Sequence, residues 1–340
     1  MSKVSHFLIR YLTPLAGACV ALLAMFLLYR GLDFQKFVLE LKQAKLQWIA
    51  LLALAIMTEQ LIQGWKWRQL LYDLKPISSL RLTGAFLAGY CANVFVPLGV
   101  SPLVRSWLVA RLESLKMSSI LVTTTISRFI DGVVFGLLAI VLAFAGKLPK
   151  IEGDLQTGIA AAGLLNFAIF SIALWALFYS RRTFTNDNST ISRVVDKLAL
   201  KFRGILGELR RGLVDGIIWP RQFFRQLGIV AASVAMKMIS TTHFLWAGLA
   251  VGIVLPPLDY LFLMVFAGFT LVLARFIRVP GGFVIGSAFA LKLLGVPDET
   301  AITMILLNHV MALVLVVGIG AFVLWRSGIS IRMLGKQELA

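Results

Sequence analysis

Residues 84–136 decide the fold, with the sequence GAFLAGYCANVFVPLGVSPLVRSWLVARLESLKMSSILVTTTISRFIDGVVFG. An apolar run breaks at Pro97 and Gly99 and again at Pro102, resumes as a short segment bearing Arg105, and leads into a long apolar segment. Proline removes a backbone donor and ends a helix, and glycine permits the sharp bend that follows. Irregular backbone at membrane depth is tolerated only where protein or a water-filled cavity covers it. The stretch therefore predicts a broken helix that forms one wall of a polar cavity inside a membrane.

The composition is typical of an all-α polytopic membrane protein. Of the 340 residues, 59% are hydrophobic and 14% are charged, whereas a soluble domain carries about 25% charged residues. Apolar runs of about 20 residues, long enough to cross a bilayer, alternate with short charged connections. We therefore expect about seven or eight transmembrane helices in a single integral membrane domain, residues 1–340.

The charge balance is strongly basic, with 33 Lys and Arg against 16 Asp and Glu and a net charge of +17. The positive-inside rule accounts for this excess, so we expect no nucleic-acid partner. Residues 180–225 form the longest basic stretch and predict a cytoplasmic loop, in which Ile191–Ile218 reads as a basic amphipathic helix. Such a helix rests on an anionic membrane surface or packs on other helices. Cys19 and Cys91 both lie in apolar runs, which indicates buried, inert thiols.

The side of the basic loop determines how the earlier segments cross the membrane. Counting the predicted spans back from this cytoplasmic loop leaves both ends of residues 82–116 on the same side of the membrane. These residues are therefore predicted to form a re-entrant pair of half-helices within the first half, 12–179. The second half, 226–325, follows the loop. The predicted spans of the two halves are Leu12–Tyr29, Trp48–Trp65, Ser119–Ala145, Ile159–Tyr179, Leu227–Val251, Leu258–Ala274 and Thr300–Leu324. Around the end of the second span, Trp65 and Trp67 flank Lys66, a pattern typical of a membrane interface.

The opening pattern returns in the second half. Pro280, Gly281 and Gly282 repeat the earlier break, a short helix follows, and a further Gly/Pro break leads into a long span. Residues 278–300 therefore predict a second re-entrant hairpin, related to the first by a weak internal repeat. Paired Gly/Pro-interrupted segments in corresponding halves of a membrane protein point to a transport site.

Ionisable side chains inside apolar runs are costly and are therefore candidates for the site. Arg105 follows a helix break, where unpaired N–H groups and the helix dipole favour anions, and its guanidinium matches phosphate geometry. Arg128 and Asp131 are three residues apart, so they share one helical face and are able to pair; a purely structural clamp between helices is the alternative. Glu59 lies near the end of the second span. The remaining cavity candidates are Asn93, Arg278 and His309.

Catalytic signatures are missing from the sequence. It contains no Walker-type phosphate loop, no HExxH, no CxxC pair and no nucleophile elbow. The three histidines are too scattered to propose a metal centre, and no cofactor is expected. We expect that the protein is not an enzyme.

The string Asn93, Pro97, Gly99 and Arg105, the pair Arg128 and Asp131, and the late Pro-Gly-Gly at 280–282 together resemble a known family. This is the flippase-like transmembrane region of lysylphosphatidylglycerol synthetases and its stand-alone UPF0104 relatives, and the resemblance covers residues 12–325. The sequence departs from the family's charged pattern at three places, which hold Ser127, Ser287 and the Asn308-His309 pair.

The resemblance implies a multi-pass protein of the bacterial inner membrane that moves an amphipathic lipid, anionic or aminoacylated, between leaflets. Arg105, Arg128 and Asp131 would line the head-group route. The synthetase activity of the family resides in a separate soluble domain, for which this chain has no room after Leu324, so no aminoacyl transfer is expected. Two alternatives stay open. One is a non-transporting scaffold that docks a glycosyltransferase or lipid-modifying enzyme at 181–225, and the other is an ion-coupled solute transporter that uses Glu59 or Asp131.

Overall fold

The computed structural model describes residues 34–95, 101–145, 153–185, 216–217, 219–277 and 281–327. Within these ranges every regular element is an α-helix. In chain order the helices are α1 (Phe34–Gln43), α2 (Leu46–Leu71), α3 (Ser79–Phe95), α4 (Ser101–Glu113), α5 (Met117–Phe144), α6 (Gly153–Thr185), α7 (Phe223–Ala250), α8 (Pro257–Ile277), α9 (Gly282–Leu293) and α10 (Asp298–Arg326).

Six of these helices are long and apolar enough to cross a membrane. The candidate spans are Leu46–Leu71, Met117–Phe144, Leu155–Arg181, Phe223–Ala250, Pro257–Ala274 and Asp298–Arg326. They correspond to six of the predicted spans, and the prediction of an all-helical multi-pass membrane protein is confirmed. The predicted first span, Leu12–Tyr29, and the predicted amphipathic helix in the basic loop lie outside the described residues, apart from 216 and 217 in the latter.

The predicted break in residues 84–136 separates two helices that pack against each other. α3 ends at Phe95, and α4 begins at Ser101 with Pro102 in its first turn, where proline's fixed φ is compatible with a helix. Gly89 of α3 lies against Ser101 and Arg105 of α4. At the other end, Arg81 Nη1 donates to Glu113 Oε1 at 2.9 Å. These pairings run in opposite directions along the chain, so α3 and α4 form an antiparallel hairpin, here called the first hairpin.

The second hairpin consists of α8 and α9 and has the same construction. Gly282 lies against Ala274 and Gly286 against Thr270, again in antiparallel order. The short helices of the two hairpins also end alike. Leu115 N donates to Ala110 O at 2.9 Å, and Val296 N donates to Leu291 O at 3.1 Å; each bond spans a residue in the left-handed region, Ser114 and Gly295 respectively. Bonds of this kind satisfy the last carbonyls of a helix and end it. The hairpins thus agree with the internal repeat that the sequence predicts.

The chain divides into two compact units, each of which draws residues from both sequence halves. The first unit comprises residues 1–55, 141–160 and 240–311, and the second comprises 56–140, 161–239 and 312–340. The first unit contains the second hairpin, beside which Trp48 stacks on Trp246 and Phe244 contacts Phe283. The second unit contains the first hairpin and a core whose fully buried members include Trp67, Leu70, Leu82, Phe86, Leu108 and Ile120. Cys91 belongs to this core as a free, buried thiol, as predicted.

Candidate functional site: a buried cation cluster

The first hairpin brings Arg105 into the interior of the second unit. A Cβ added to Gly89 would lie 2.8 Å from Ser101 O, a distance that real Cβ atoms essentially never show, and 3.2 Å from Arg105 Cβ, which is tighter than most Cβ contacts. Only glycine at this position allows α3 and α4 to approach so closely. The close approach holds Arg105 against the face of α3, where 2% of the arginine is exposed.

The Arg105 guanidinium is held by aromatic rings. Its carbon lies 4.2 Å from the centre of the Phe86 ring and 5.9 Å from that of Trp67. The two rings meet edge to face at 4.9 Å, and Trp67 Nε1 donates a 3.1 Å hydrogen bond to Thr123 Oγ1, which fixes the indole. Cation–π contacts stabilise a desolvated guanidinium by about 2 kcal/mol but accept none of its hydrogen bonds. Nε of Arg105 has no acceptor within the described part of the chain.

Lys66 on α2 is the second buried cation. It is completely buried, and its Nζ forms an ion pair with Asp131 Oδ1 of α5 at 2.5 Å. Nζ also lies 3.3 Å from Ser233 Oγ of α7, to which it donates. The ion pair therefore joins α2 to α5 through two residues that are 65 positions apart in sequence. The Asp131 side chain, by contrast, is 19% exposed.

Two further cations act on this pair. Lys237, which lies 5.6 Å from the ring centre of Phe135, and Arg105 both act electrostatically on Lys66. On Arg105, Arg128 acts with a like charge and Asp131 with an opposite one. We call Lys66, Arg105, Arg128, Lys237 and Asp131 the cation cluster. It contains four positive side chains and one carboxylate, so its centre is electropositive and suited to an anion.

Lys75, Arg81 and Glu113 form a group of ion pairs at the open end of the first hairpin, outside the candidate spans. We call this group the clamp. Glu113 accepts from Arg81 Nη1 and lies 2.9 Å from Lys75 Nζ through its other carboxylate oxygen. Lys75 also donates to the backbone carbonyl of Glu113 at 2.8 Å. The hydrogen bond from Lys75, supported by that from Arg81, lowers the pKa of Glu113 below its ordinary value. Glu113 is therefore ionised at neutral pH and ties α4 to the start of α3.

The predicted site residues are divided between the two units. Arg105 and Asp131 lie in the cation cluster, as does Arg128, which is exposed. Glu59 is half-buried and precedes Lys66 by two helical turns on the same face of α2. Asn93 is half-buried near the end of α3, and its Oδ1 has no donor among the residues that the structure describes.

His309 belongs to the first unit, where its ring is exposed and lies 5.6 Å from that of Phe283. Of the predicted hinge residues, Pro102 lies in the first turn of α4, Gly281 has a φ of 73° directly before α9, and Gly282 packs on Ala274. The other predicted residues, Pro97, Gly99, Arg278 and Pro280, lie outside the described residues.

Sequence reasoning missed Lys66, Trp67, Phe86 and Gly89. The sequence pattern placed Lys66 and Trp67 at a membrane interface. In the structure both side chains are completely buried among other helices. Trp65, which precedes them, is 40% exposed. The one available signal was a lysine directly after an 18-residue apolar segment, and the flanking tryptophans made it look interfacial.

The three departures from the family's charged pattern include buried polar side chains. Ser127 is 1% exposed, Ser287 is completely buried and Asn308 is 5% exposed. The hydroxyl oxygens of both serines have no hydrogen-bond partner in the described ranges. Small polar side chains therefore lie in the interior of the protein at these three places.

Comparisons with known proteins agree with the family resemblance. No curated protein and no solved structure matches the chain. The family model described as Lysylphosphatidylglycerol synthase TM region matches residues 15–320. This match spans most of the chain and agrees with its helical multi-pass fold, so the protein belongs to the lysylphosphatidylglycerol synthase TM region family.

Proposed function

We propose that the protein translocates an amphipathic phospho- or aminoacyl-lipid between the leaflets of a bacterial inner membrane, without acting as an enzyme. The observation that carries the proposal is the burial of Arg105, whose Nε has no acceptor among the residues that the structure describes. A buried donor without an acceptor loses its hydration without compensation, which costs about 1–3 kcal/mol and more when the group is charged. A bound phosphate would supply the missing acceptor, because its oxygens match the guanidinium donors.

The surroundings of Arg105 support a lipid head group rather than a fixed structural anion. The cation cluster carries an excess of positive charge, and Arg128 at its exposed edge offers a first contact. The helices around it present large apolar side chains to the outside, among them Leu61 and Leu137. A head group bound at the cluster could thus leave its acyl chains in the bilayer, which avoids the cost of moving apolar chains out of hydrocarbon into a polar environment.

A translocation assay in vesicles tests the proposal. Purified protein is reconstituted into liposomes that contain a trace of fluorescent phosphatidylglycerol or fluorescent lysylphosphatidylglycerol, and a membrane-impermeant quencher reports the labelled lipid in the outer leaflet. We expect the protein to accelerate the exchange of at least one of these lipids. Arg105→Gln removes the charge-assisted bonds and should slow the exchange about tenfold or more.

Arg111→Gln is the matched control. Arg111 lies on the same helix and is exposed, with its guanidinium 5.4 Å from the centre of the Trp107 ring. This variant should exchange lipid at the unmodified rate. Equal rates for Arg105→Gln and the unmodified protein would refute the proposed role of Arg105. Exchange no faster than in protein-free liposomes would refute translocation, and solute uptake driven by a proton or sodium gradient would then favour the ion-coupled transporter.

A further inference from the structure

The two partners of the Lys66–Asp131 pair differ in their exposure. Lys66 is completely buried, whereas 19% of the Asp131 side chain is exposed. The carboxylate therefore lies on the accessible side of the pair. Arg128, one turn before Asp131 on the same face of α5, is exposed. A path of decreasing exposure leads from Arg128 through Asp131 to Lys66.

The environment of Lys66 would hold any single anion firmly. Arg105 and Lys237 act on Lys66 with charges of the same sign, and Ser233 accepts one of its N–H bonds. Asp131 is the carboxylate that Lys66 contacts. An anion that replaced Asp131 would be attracted by all three cations, and the displaced carboxylate is already partly exposed. Replacement therefore exchanges one ion pair for another without leaving Lys66 uncompensated, which is the costly state for a buried charge.

The charge count also indicates the kind of head group. Even if Glu59 is added to the cation cluster, four cations face two carboxylates. An aminoacylated head group brings one or two ammonium groups beside its phosphate, and each would meet like charges in a region of low dielectric constant. A head group with a phosphate and uncharged hydroxyls brings none.

We propose that the phosphate of a net-anionic, non-aminoacylated phospholipid displaces the Asp131 carboxylate and becomes the counter-ion of Lys66. This inference rests on the proposed function in that translocation brings the head group to the cation cluster. Asp131 then acts as an internal substitute for the substrate, which compensates the charge of Lys66 when no lipid is bound.

Ligand-induced thermal stabilisation of the detergent-solubilised full chain tests the displacement. Phosphatidylglycerol, lysylphosphatidylglycerol and the water-soluble sn-glycerol 3-phosphate are added in turn to mixed micelles, and the unfolding temperature is followed. We expect stabilisation by phosphatidylglycerol alone. Asp131→Asn removes the competing carboxylate, so half-maximal stabilisation should need about tenfold less phosphatidylglycerol, because the binding-competent state is no longer a minor one.

Two further variants keep the test decisive. The double variant Lys66→Met with Asp131→Met replaces the pair by apolar side chains, and should fold but lose the response to phosphatidylglycerol. Lys292→Gln with Asp298→Asn removes an exposed ion pair in the first unit, where the side chains are 64% and 60% exposed, and should respond like the unmodified protein.

Several results would overturn the inference. Equal stabilisation by lysylphosphatidylglycerol would show that the cluster accepts ammonium groups, and an unchanged requirement in Asp131→Asn would show that the carboxylate does not compete. Full stabilisation by sn-glycerol 3-phosphate would identify a soluble phosphate as the ligand. The translocation assay shows whether such a result refutes only this inference or also the proposed function. Exchange of lysylphosphatidylglycerol without any response to phosphatidylglycerol refutes only the inference. An Asp131-dependent response without exchange of any lipid refutes only translocation.

Discussion

Removing either partner of the Lys66–Asp131 pair should destabilise the protein, and the two removals should differ in size. Asp131→Leu leaves Lys66 completely buried beside Arg105 and Lys237, whose charges repel it. Lys66→Met leaves Asp131, which is 19% exposed and still attracted by Arg105. Breaking a buried ion pair by removing one partner costs about 3–5 kcal/mol. We therefore expect Asp131→Leu near the upper end of this range, and Lys66→Met near or below its lower end.

The double variant Lys66→Met with Asp131→Met separates the pair's contribution from simple loss of packing. Replacing a whole buried ion pair by apolar side chains is often neutral or stabilising, because no uncompensated charge remains. The double variant should therefore be more stable than Asp131→Leu and close to the unmodified protein. Lys292→Met provides the exposed counterpart, since it breaks the surface pair with Asp298, and such pairs contribute about 0–1 kcal/mol.

The assay is equilibrium unfolding in detergent micelles, followed by tryptophan fluorescence, with the monodisperse fraction after heating as a second readout. With the single variant Asp131→Met added, free energies of unfolding at one pH and one salt concentration give the double-mutant coupling energy directly. Losses in Lys66→Met and Asp131→Leu no larger than that in Lys292→Met would refute the idea that each removal leaves an uncompensated buried charge. Additive losses in the double variant would refute direct pairing.

The remaining predictions concern the hairpins and the clamp. Gly89→Leu introduces a side chain where the helices of the first hairpin touch and should destabilise the protein by about 1–3 kcal/mol, whereas Gly318→Leu, at a position with open space around the added Cβ, should not; unfolding in micelles measures both. Gly286→Leu should be as damaging as Gly89→Leu, because the second hairpin is packed just as closely there, and a loss as small as that of Gly318→Leu would contradict the packing. Glu113→Gln should destabilise the protein at neutral pH by weakening the bonds to Lys75. Since the folded pKa of Glu113 lies below its ordinary 4.5, its stabilising effect is present above that value and is lost as the pH falls below it. Unfolding temperatures of the variant and the unmodified protein should therefore converge below pH 4.5, and a constant difference would argue against an ionised clamp.

Most of the fold could be read from the sequence because its determinants act locally. A run of about 20 apolar residues forms a helix in a bilayer whatever its neighbours are, and six such predicted spans are helices in the structure. The end of α3 at Phe95 and the start of α9 at Gly282 agree with the predicted breaks, since proline and glycine change the backbone on which they lie. Arg105 and Asp131 stood out for the related reason that a charge inside an apolar run is rare and costly.

Only the tertiary structure shows which side chains contact each other in the cation cluster. Lys66 follows an apolar run beside tryptophans, and that local signature is the same for a lysine at a membrane interface and for one buried in a pair. Its identity as a buried cation depends on Asp131, 65 residues later, and on Ser233, 167 residues later. Gly89 carries no local signal either, because its role is to leave room for Ser101 and Arg105 on another helix. Hydrophobicity and backbone stiffness act between residues that are close together in sequence, so the sequence alone was enough to predict the helices and their breaks. Ion pairing and close packing depend on distances between separate helices, so only the folded structure brought the cation cluster together.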